Sequence, residues 1–211
     1  MSNIIELSPK KKACPSIENG KVPPTRQKNA ELRSREHLTP DEVEHLIKSA
    51  KQIGRHRQRD ATLIMMMYRH GLRVSEAVAL RWDMIDLKQG LLHVNRVKNG
   101  VTSTHPLRGI ELRAIRQLQR DYPDSPYLFV TERKSSLTTS TVRKMVARAG
   151  VAAKLPFPTH PHMLRHGCGY KLANEGYDTR AIQHYLGHKN IQHTVRYTEL
   201  SADRFNDFWT D

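Results

Sequence analysis

Apolar residues recur at helical spacing through most of this chain and alternate at strand spacing in one short region only. The ordered pattern begins at Thr39-Pro40-Asp41-Glu42. Thr39 can cap a helix, Pro40 suits its first turn, and Glu42 completes a capping box ahead of Val43, Leu46 and Ile47. A second helix is predicted over Arg57 to Arg69, with Met65-Met66-Met67 as core packing and Gly71 as terminator. A third, over Ser75 to Leu80, is predicted to start with a serine cap. Trp82 to Leu87, Leu91 to Val97 and Thr102 to Leu107 are short, rich in β-formers and punctuated by Lys88-Gln89-Gly90 and Lys98-Asn99-Gly100, which predicts a three-stranded antiparallel meander. Helix resumes over Ile110 to Arg120 and Thr139 to Ala149, with Tyr127 to Val130 as an edge strand or buried extended segment between them. The last third reads as helices over Pro161 to Asn174, Thr179 to Leu186 (capped by Asp178, closed by Gly187), Ile191 to Tyr197 and Ala202 to Trp209. The fold class is therefore α+β, mostly helical, with a small three-stranded antiparallel sheet on one side.

Met1 to Arg35 carries no such periodicity; Lys10-Lys11-Lys12, Pro15 and Pro23-Pro24 predict a basic, flexible tail over residues 1–36 ahead of one domain over 37–211. Charge adds a constraint. Lys and Arg number 35 against 21 Asp and Glu, a formal net charge of +14, and so large a surplus points to a polyanionic partner. No stretch approaches the roughly 20 apolar residues of a membrane span, and the N-terminus lacks the apolar core of a secretory signal. Two cysteines, Cys14 and Cys168, do not make a disulfide framework, so the expected setting is cytoplasmic, at the nucleoid, with reduced thiols.

Candidate chemistry concentrates between His160 and Tyr197, with a second cluster at Gly71-Leu72-Arg73-Val74-Ser75-Glu76. Cleaving a phosphodiester builds negative charge on the non-bridging oxygens, and the planar, permanently charged fork of arginine suits two of them. Arg73 and Arg165, from distant segments, could clamp them together. A tyrosine nucleophile such as Tyr197 needs a proton acceptor or a strongly positive field, and either His162 or His188 could serve. The departing alkoxide needs a proton donor, for which Lys98 at a hairpin tip is placed, and Glu76 lies one helical turn from Arg73. Taken singly, each has an ordinary reading: a surface ion pair, a solvated hairpin lysine, a C-terminal helix cap, a half-buried phenol. His160, His162, His166 and Cys168, or His184 with His188, also have zinc-ligand chemistry, but Pro161 and Gly187 interrupt the arrays and no Cys-x-x-Cys accompanies them, so no metal or other cofactor is expected.

It is the order and spacing of the set that carries a family resemblance. Gly71-Leu72-Arg73-Val74-Ser75-Glu76, Lys98, His162-Met163-Leu164-Arg165-His166, Leu186-Gly187-His188 and Arg196-Tyr197-Thr198 resemble the catalytic domain of the tyrosine recombinases, or phage-type integrases, from about His37 onward. His105-Pro106-Leu107, His160-Pro161-His162 and Asn190 to Thr198 add a similarity to the small fimbrial-switch recombinases. The resemblance implies that Arg73, Arg165 and His188 hold the scissile phosphate, that His162 assists proton transfer, and that Lys98 protonates the leaving 5′-hydroxyl. It further implies that Glu76 supports the cluster and that Tyr197 forms a 3′-phosphotyrosine link, with neither ATP nor metal. Implied partners are double-stranded DNA, a homotetramer assembled on it, and DNA-bending accessory proteins as candidates. Only Met1 to about Glu36 precedes the domain, which is too short for the separate N-terminal helical domain that most of the family carries. Inversion, excision and integration all fit the resemblance; a type IB topoisomerase and a non-catalytic DNA-binding accessory protein are the competing functions. Phe205, Phe208 and Trp209 form an apolar stripe that would pack on its own domain or dock in a groove on a neighbouring protomer.

Overall fold

The structure, a computed structural model, describes residues 35–96 and 101–199. Lys98, the Asn99-Gly100 turn, Cys14 and the Phe205-Phe208-Trp209 stripe lie outside the described residues.

The centre of the core is a single helix. Following α1 (Pro40–Ala50), α2 spans Arg57–Arg69, and every residue from Arg59 to Tyr68 is buried. Burial along ten consecutive positions needs neighbours on all sides; α1, α4 (Gly109–Asp121) and α6 (Pro161–Asn174) supply the cover. Its one buried ion pair, Arg59 Nη2 to Asp60 at 2.6 Å, also donates from Arg59 Nη1 to the Val130 carbonyl at 2.6 Å. That contact holds the Tyr127 to Val130 segment, which is buried at Leu128, Phe129 and Val130 and forms isolated bridges instead of a strand.

The start of α1 follows its local code: the Thr39 N–H donates to Glu42 Oε2 at 2.9 Å, and the Glu42 N–H donates to Thr39 Oγ1 at 3.3 Å. The remaining helices are α3 (Val74–Val78), α5 (Thr139–Ala152), α7 (Thr179–Leu186) and α8 (Gln192–Thr198). Two expectations are corrected here. Ser75 is not the cap of α3: the helix begins one residue earlier, Arg73 is its N-cap, and the Glu76 carboxylate accepts from the Arg73 N–H at 2.9 Å. Nor is Trp82 to Leu87 a full strand, because Trp82–Met84 winds into a 3-10 turn and leaves β1 only Ile85–Asp86. With β2 (Leu91–Val94) and β3 (Ser103–Pro106), β1 forms the antiparallel meander β1-β2-β3, in register at Ile85 with Leu92 and at Leu92 with His105.

The sheet is tied to the helices by a closed polar cluster. His105 of β3 stacks on Tyr185 of α7 with ring centroids 3.9 Å apart, and its Nδ1 lies 3.1 Å from Nδ1 of His70 at the end of α2. His70 Nε2 is 2.8 Å from Glu111 of α4, and Glu111 is also within 3.2 Å of Arg69. Burial would raise the Glu111 pKa, but the His70 contact, the Arg108 N–H and the Arg69 charge together hold it below the usual carboxylate range. Among the described residues, no helix is long and apolar enough to cross a membrane.

Candidate active site

Two helices end in the same way, and their ends meet. At α2, the Gly71 N–H donates to the Tyr68 carbonyl at 3.3 Å and the Leu72 N–H to the Met67 carbonyl at 3.1 Å. At α7, the Gly187 N–H donates to the His184 carbonyl at 3.1 Å and the His188 N–H to the Gln183 carbonyl at 3.0 Å. Both are Schellman turns, which require a left-handed residue, and Gly71 and Gly187 have φ of +55° and +66°. Space demands glycine as well. A Cβ on Gly71 would stand 2.3 Å from Leu186 Cδ2, and one on Gly187 would stand 2.6 Å from Arg96 Cγ.

Arg165 joins the two turns. From α6, its Nη1 donates to the Gly71 carbonyl and its Nη2 to the Leu186 carbonyl at 2.7 Å. The negative ends of two helices thus supply the acceptors that let a guanidinium sit only 1% exposed. Burial, then the Arg73 and Arg96 charges, bring its pKa down to about 10, so it stays charged at neutral pH.

Below it lies Glu76, on which three arginines converge. Arg73 Nη1 donates to Oε1 at 2.7 Å, Arg96 Nη1 donates to Oε2 at 2.9 Å, and Arg165 Nη1 is 3.9 Å from Oε2. Burial raises the carboxyl, but the Arg73 N–H and the three guanidiniums outweigh it, and Glu76 is held below the ordinary range. Three positive charges share one negative charge, with Arg73 the half-exposed member.

His188 leaves the α7 turn with its Nδ1 2.9 Å from Thr194 Oγ1. Burial and the charges of Arg165 and Arg73 push its pKa down to about 3, so the ring is neutral near pH 7. Its ring lies near-parallel to that of Tyr197, with centroids 6.2 Å apart. Tyr197 is only 2% exposed, and its seat is cut for it: a Cβ on Gly169 would come within 2.6 Å of the phenol ring. Burial drives the phenol up to about 12 against the pull of Arg165 and Arg196. The histidine within hydrogen-bond reach of its hydroxyl is His166, with Nδ1 at 2.8 Å. His162 stands one turn before His166 at the exposed edge, the two rings meeting edge-on at 4.2 Å. Five residues singled out in the sequence, Arg73, Glu76, Arg165, His188 and Tyr197, therefore form one connected group, with His162 at its rim. Lys98 lies outside the described residues.

Two members were not legible beforehand. Arg96 spans the site from just beyond β2: besides Glu76, it donates through Nη2 to the Tyr185 carbonyl at the end of α7. Nothing in its local sequence marks it, since its partners lie 20 and 89 positions away. His166 stands in the sequence both beside Arg165 in the family motif and among the zinc-type side chains, and neither setting marks its contact with Tyr197. Among the described residues no three His, Cys, Asp or Glu side chains stand together to hold a metal ion, and Cys168 is a buried free thiol pushed up to about 12 by that burial.

Comparison with known proteins bears on this arrangement. A sequence profile of the phage integrase family matches residues 36–204. The chain belongs to the phage integrase family. It is 40% identical over 184 residues to the type 1 fimbriae regulatory protein FimE of Escherichia coli K12, spanning 84% of this chain and 92% of that one. FimB of the same strain is 40% identical over 185 residues, spanning 85% and 92%. Tyrosine recombinase XerA of Pyrococcus furiosus is 33% identical over 195 residues, 90% of this chain but 64% of that longer protein. The crystal structure of XerA recombinase superposes with a TM-score of 0.72 at 25% identity, covering 83% of this chain and 65% of that chain. XerH site-specific recombinase bound to its difH substrate, in a pre-cleavage complex, gives a TM-score of 0.67 at 24% identity, covering 78% and 50%. The architecture of this phage integrase family member is that of a tyrosine recombinase catalytic domain.

Proposed function

We propose that this family member is a site-specific recombinase that breaks and rejoins duplex DNA through a phosphotyrosine link formed by Tyr197. The observation that carries the reading is the unbalanced charge beside the phenol: Arg73, Arg96 and Arg165 around the single carboxylate of Glu76. A buried surplus of positive charge is unfavourable until an anion completes it, and a backbone phosphate is the anion this chemistry serves. In this reading Arg73, Arg165 and His188 bind the non-bridging oxygens as charge builds in the transition state. Glu76 fixes the arginines, His162 closes the open side, and Lys98 protonates the 5′-oxygen as it leaves. Attack by the Tyr197 oxygen forms one phosphoester bond as the P–O5′ bond breaks, so the reverse reaction on a new 5′-hydroxyl completes strand exchange.

Duplex DNA is the proposed substrate, and the net charge of +14 suits its approach. XerH was captured on difH DNA and lambda integrase as a dimer on a core site, and the assembly proposed for this chain is a homotetramer on DNA. Similarity to two fimbriae regulatory proteins favours inversion of a control segment over integration or excision. The test is a duplex nicked close to the cleavage point, so that the short 5′ fragment diffuses away and the covalent complex accumulates. The wild-type chain yields a denaturation-resistant protein–DNA band, Tyr197→Phe yields none, and Arg165→Ala slows its appearance by ~10²–10³. A band of undiminished intensity with Tyr197→Phe refutes the proposal.

A further inference from the structure

We propose that His166 is a further catalytic residue: its Nδ1 takes the Tyr197 proton during cleavage and returns it during rejoining. The inference rests on Tyr197 being the nucleophile and adds the path of its proton. The Tyr197 Oη–H bond breaks as the Oη–P bond forms and the P–O5′ bond opens. The phenol proton passes to Nδ1, and the 5′-oxygen takes its own proton from the general acid assigned above.

Geometry puts His166 first among the histidines. Its Nδ1 is 2.8 Å from the Tyr197 hydroxyl, while the His188 ring stacks beside the phenol and bonds Thr194 instead. In the tautomer with the proton on Nε2, Nδ1 accepts from the phenol. The seat enforces the pair: Gly169 lies flush beneath the phenol ring, and Tyr170 meets it edge-on at 5.0 Å. The charged and titratable groups facing His166 are His160, His162 and Arg165 from its own helix and cap, and Arg196 and Tyr197 from α8. Burial first, then those cationic or cation-capable neighbours, push its pKa down to about 3. The ring is therefore unprotonated and able to accept through the neutral range, and a phosphate seated among the arginines offsets part of the positive charge that depresses it, which moves Nδ1 toward the basicity the transfer needs. One helix thus carries, at adjacent positions, a phosphate clamp in Arg165 and a base for the nucleophile in His166.

The test is single-turnover cleavage of the nicked duplex between pH 6 and 9.5 by the wild-type chain, His166→Gln and His166→Phe. Thermal melting and a band shift on the same duplex establish that each variant folds and binds. The wild-type rate should be nearly flat across this range. His166→Phe should be slower by about 10²-fold at neutral pH. Its rate should climb about tenfold per pH unit as phenolate forms without help. His166→Gln can keep a hydrogen bond to the phenol but cannot take its proton, so it should show the same deficit and the same slope. If Phe does not fold, Gln decides the matter alone. Wild-type rates with Gln, or a deficit independent of pH, would reduce His166 to a positioning role and overturn the proposal. Faster cleavage in either variant would also overturn it, because His166 would then be restraining the tyrosine. Tyr197→Phe in the same series separates the questions: loss of its band with normal rates for Gln sinks this inference alone.

Discussion

Two buried polar clusters flank the end of α7, and they handle charge in opposite ways. Around Glu111, one carboxylate meets one arginine, Arg69, and the ring of His70, while His105 and Tyr185 add a neutral ring and a hydroxyl that donates to the Arg69 carbonyl at 2.9 Å. Around Glu76, one carboxylate meets three guanidiniums, two of them buried. The first cluster sets its carboxylate against partners of its own and joins α2, α4, β3 and α7. The second is complete only if something negative arrives. A balanced cluster is architecture, whereas a surplus that helix ends and carbonyls barely accommodate marks a place prepared for a ligand.

Removing each carboxylate in turn should separate the two clusters. Glu76→Ala leaves Arg96 and Arg165 buried with no counter-charge, and denaturant unfolding should show a loss of ~3–5 kcal/mol. Added duplex DNA should then raise the melting temperature of this variant more than that of the wild type, because phosphate restores the missing anion. No extra shift would contradict the charge-surplus view.

Acid gives the next effect. His105, His166 and His188 each have a folded pKa near 3 against an ordinary 6.5, so the unfolded chain binds more protons below pH 6.5. Their stabilising contribution is intact above pH 6.5 and is lost as the pH falls toward 3, by up to ~1.4 kcal/mol per pH unit for each ring. His105→Gln should flatten that slope by one proton's worth while sparing cleavage. An unchanged slope would mean that His105 titrates freely. The smallest effect belongs to Glu111→Gln. It keeps one acceptor oxygen for the Arg108 N–H and Arg69, turns an amide NH2 toward His70 and loses one charge, with a cost of ~1–2 kcal/mol and an unaltered cleavage rate per folded molecule.

Legibility divides along the same line between local and distant causes. The spans of α2, α6 and α7 agree with the sequence reading to the residue, since Asp178, Pro161 and the glycines at 71 and 187 act on their immediate neighbours. The start of α3 was misplaced because Glu76, not Ser75, satisfies the first turn, reaching back to a residue already engaged with the site. β1 shrank where Trp82–Met84 took a 3-10 turn that alternation alone does not reveal. Arg73, Glu76, Arg165, His188 and Tyr197 were legible because they sit in compact motifs with a recognisable order. Arg96 was not, because its partners lie 20 and 89 positions away; His166 sits inside one of those motifs, but its contact with Tyr197, 31 positions on, is not readable there.

In the proposed reaction, a phosphate drawn to the arginines around Glu76 becomes bonded to the neighbouring phenol. That bond is tested most directly by trapping the covalent complex on nicked DNA, trimming it with nuclease and protease, and sequencing the nucleotide-bearing peptide by mass spectrometry. The account predicts a 3′-phosphonucleotide on Tyr197. A nucleotide on Tyr170, Tyr185 or any other residue would contradict it.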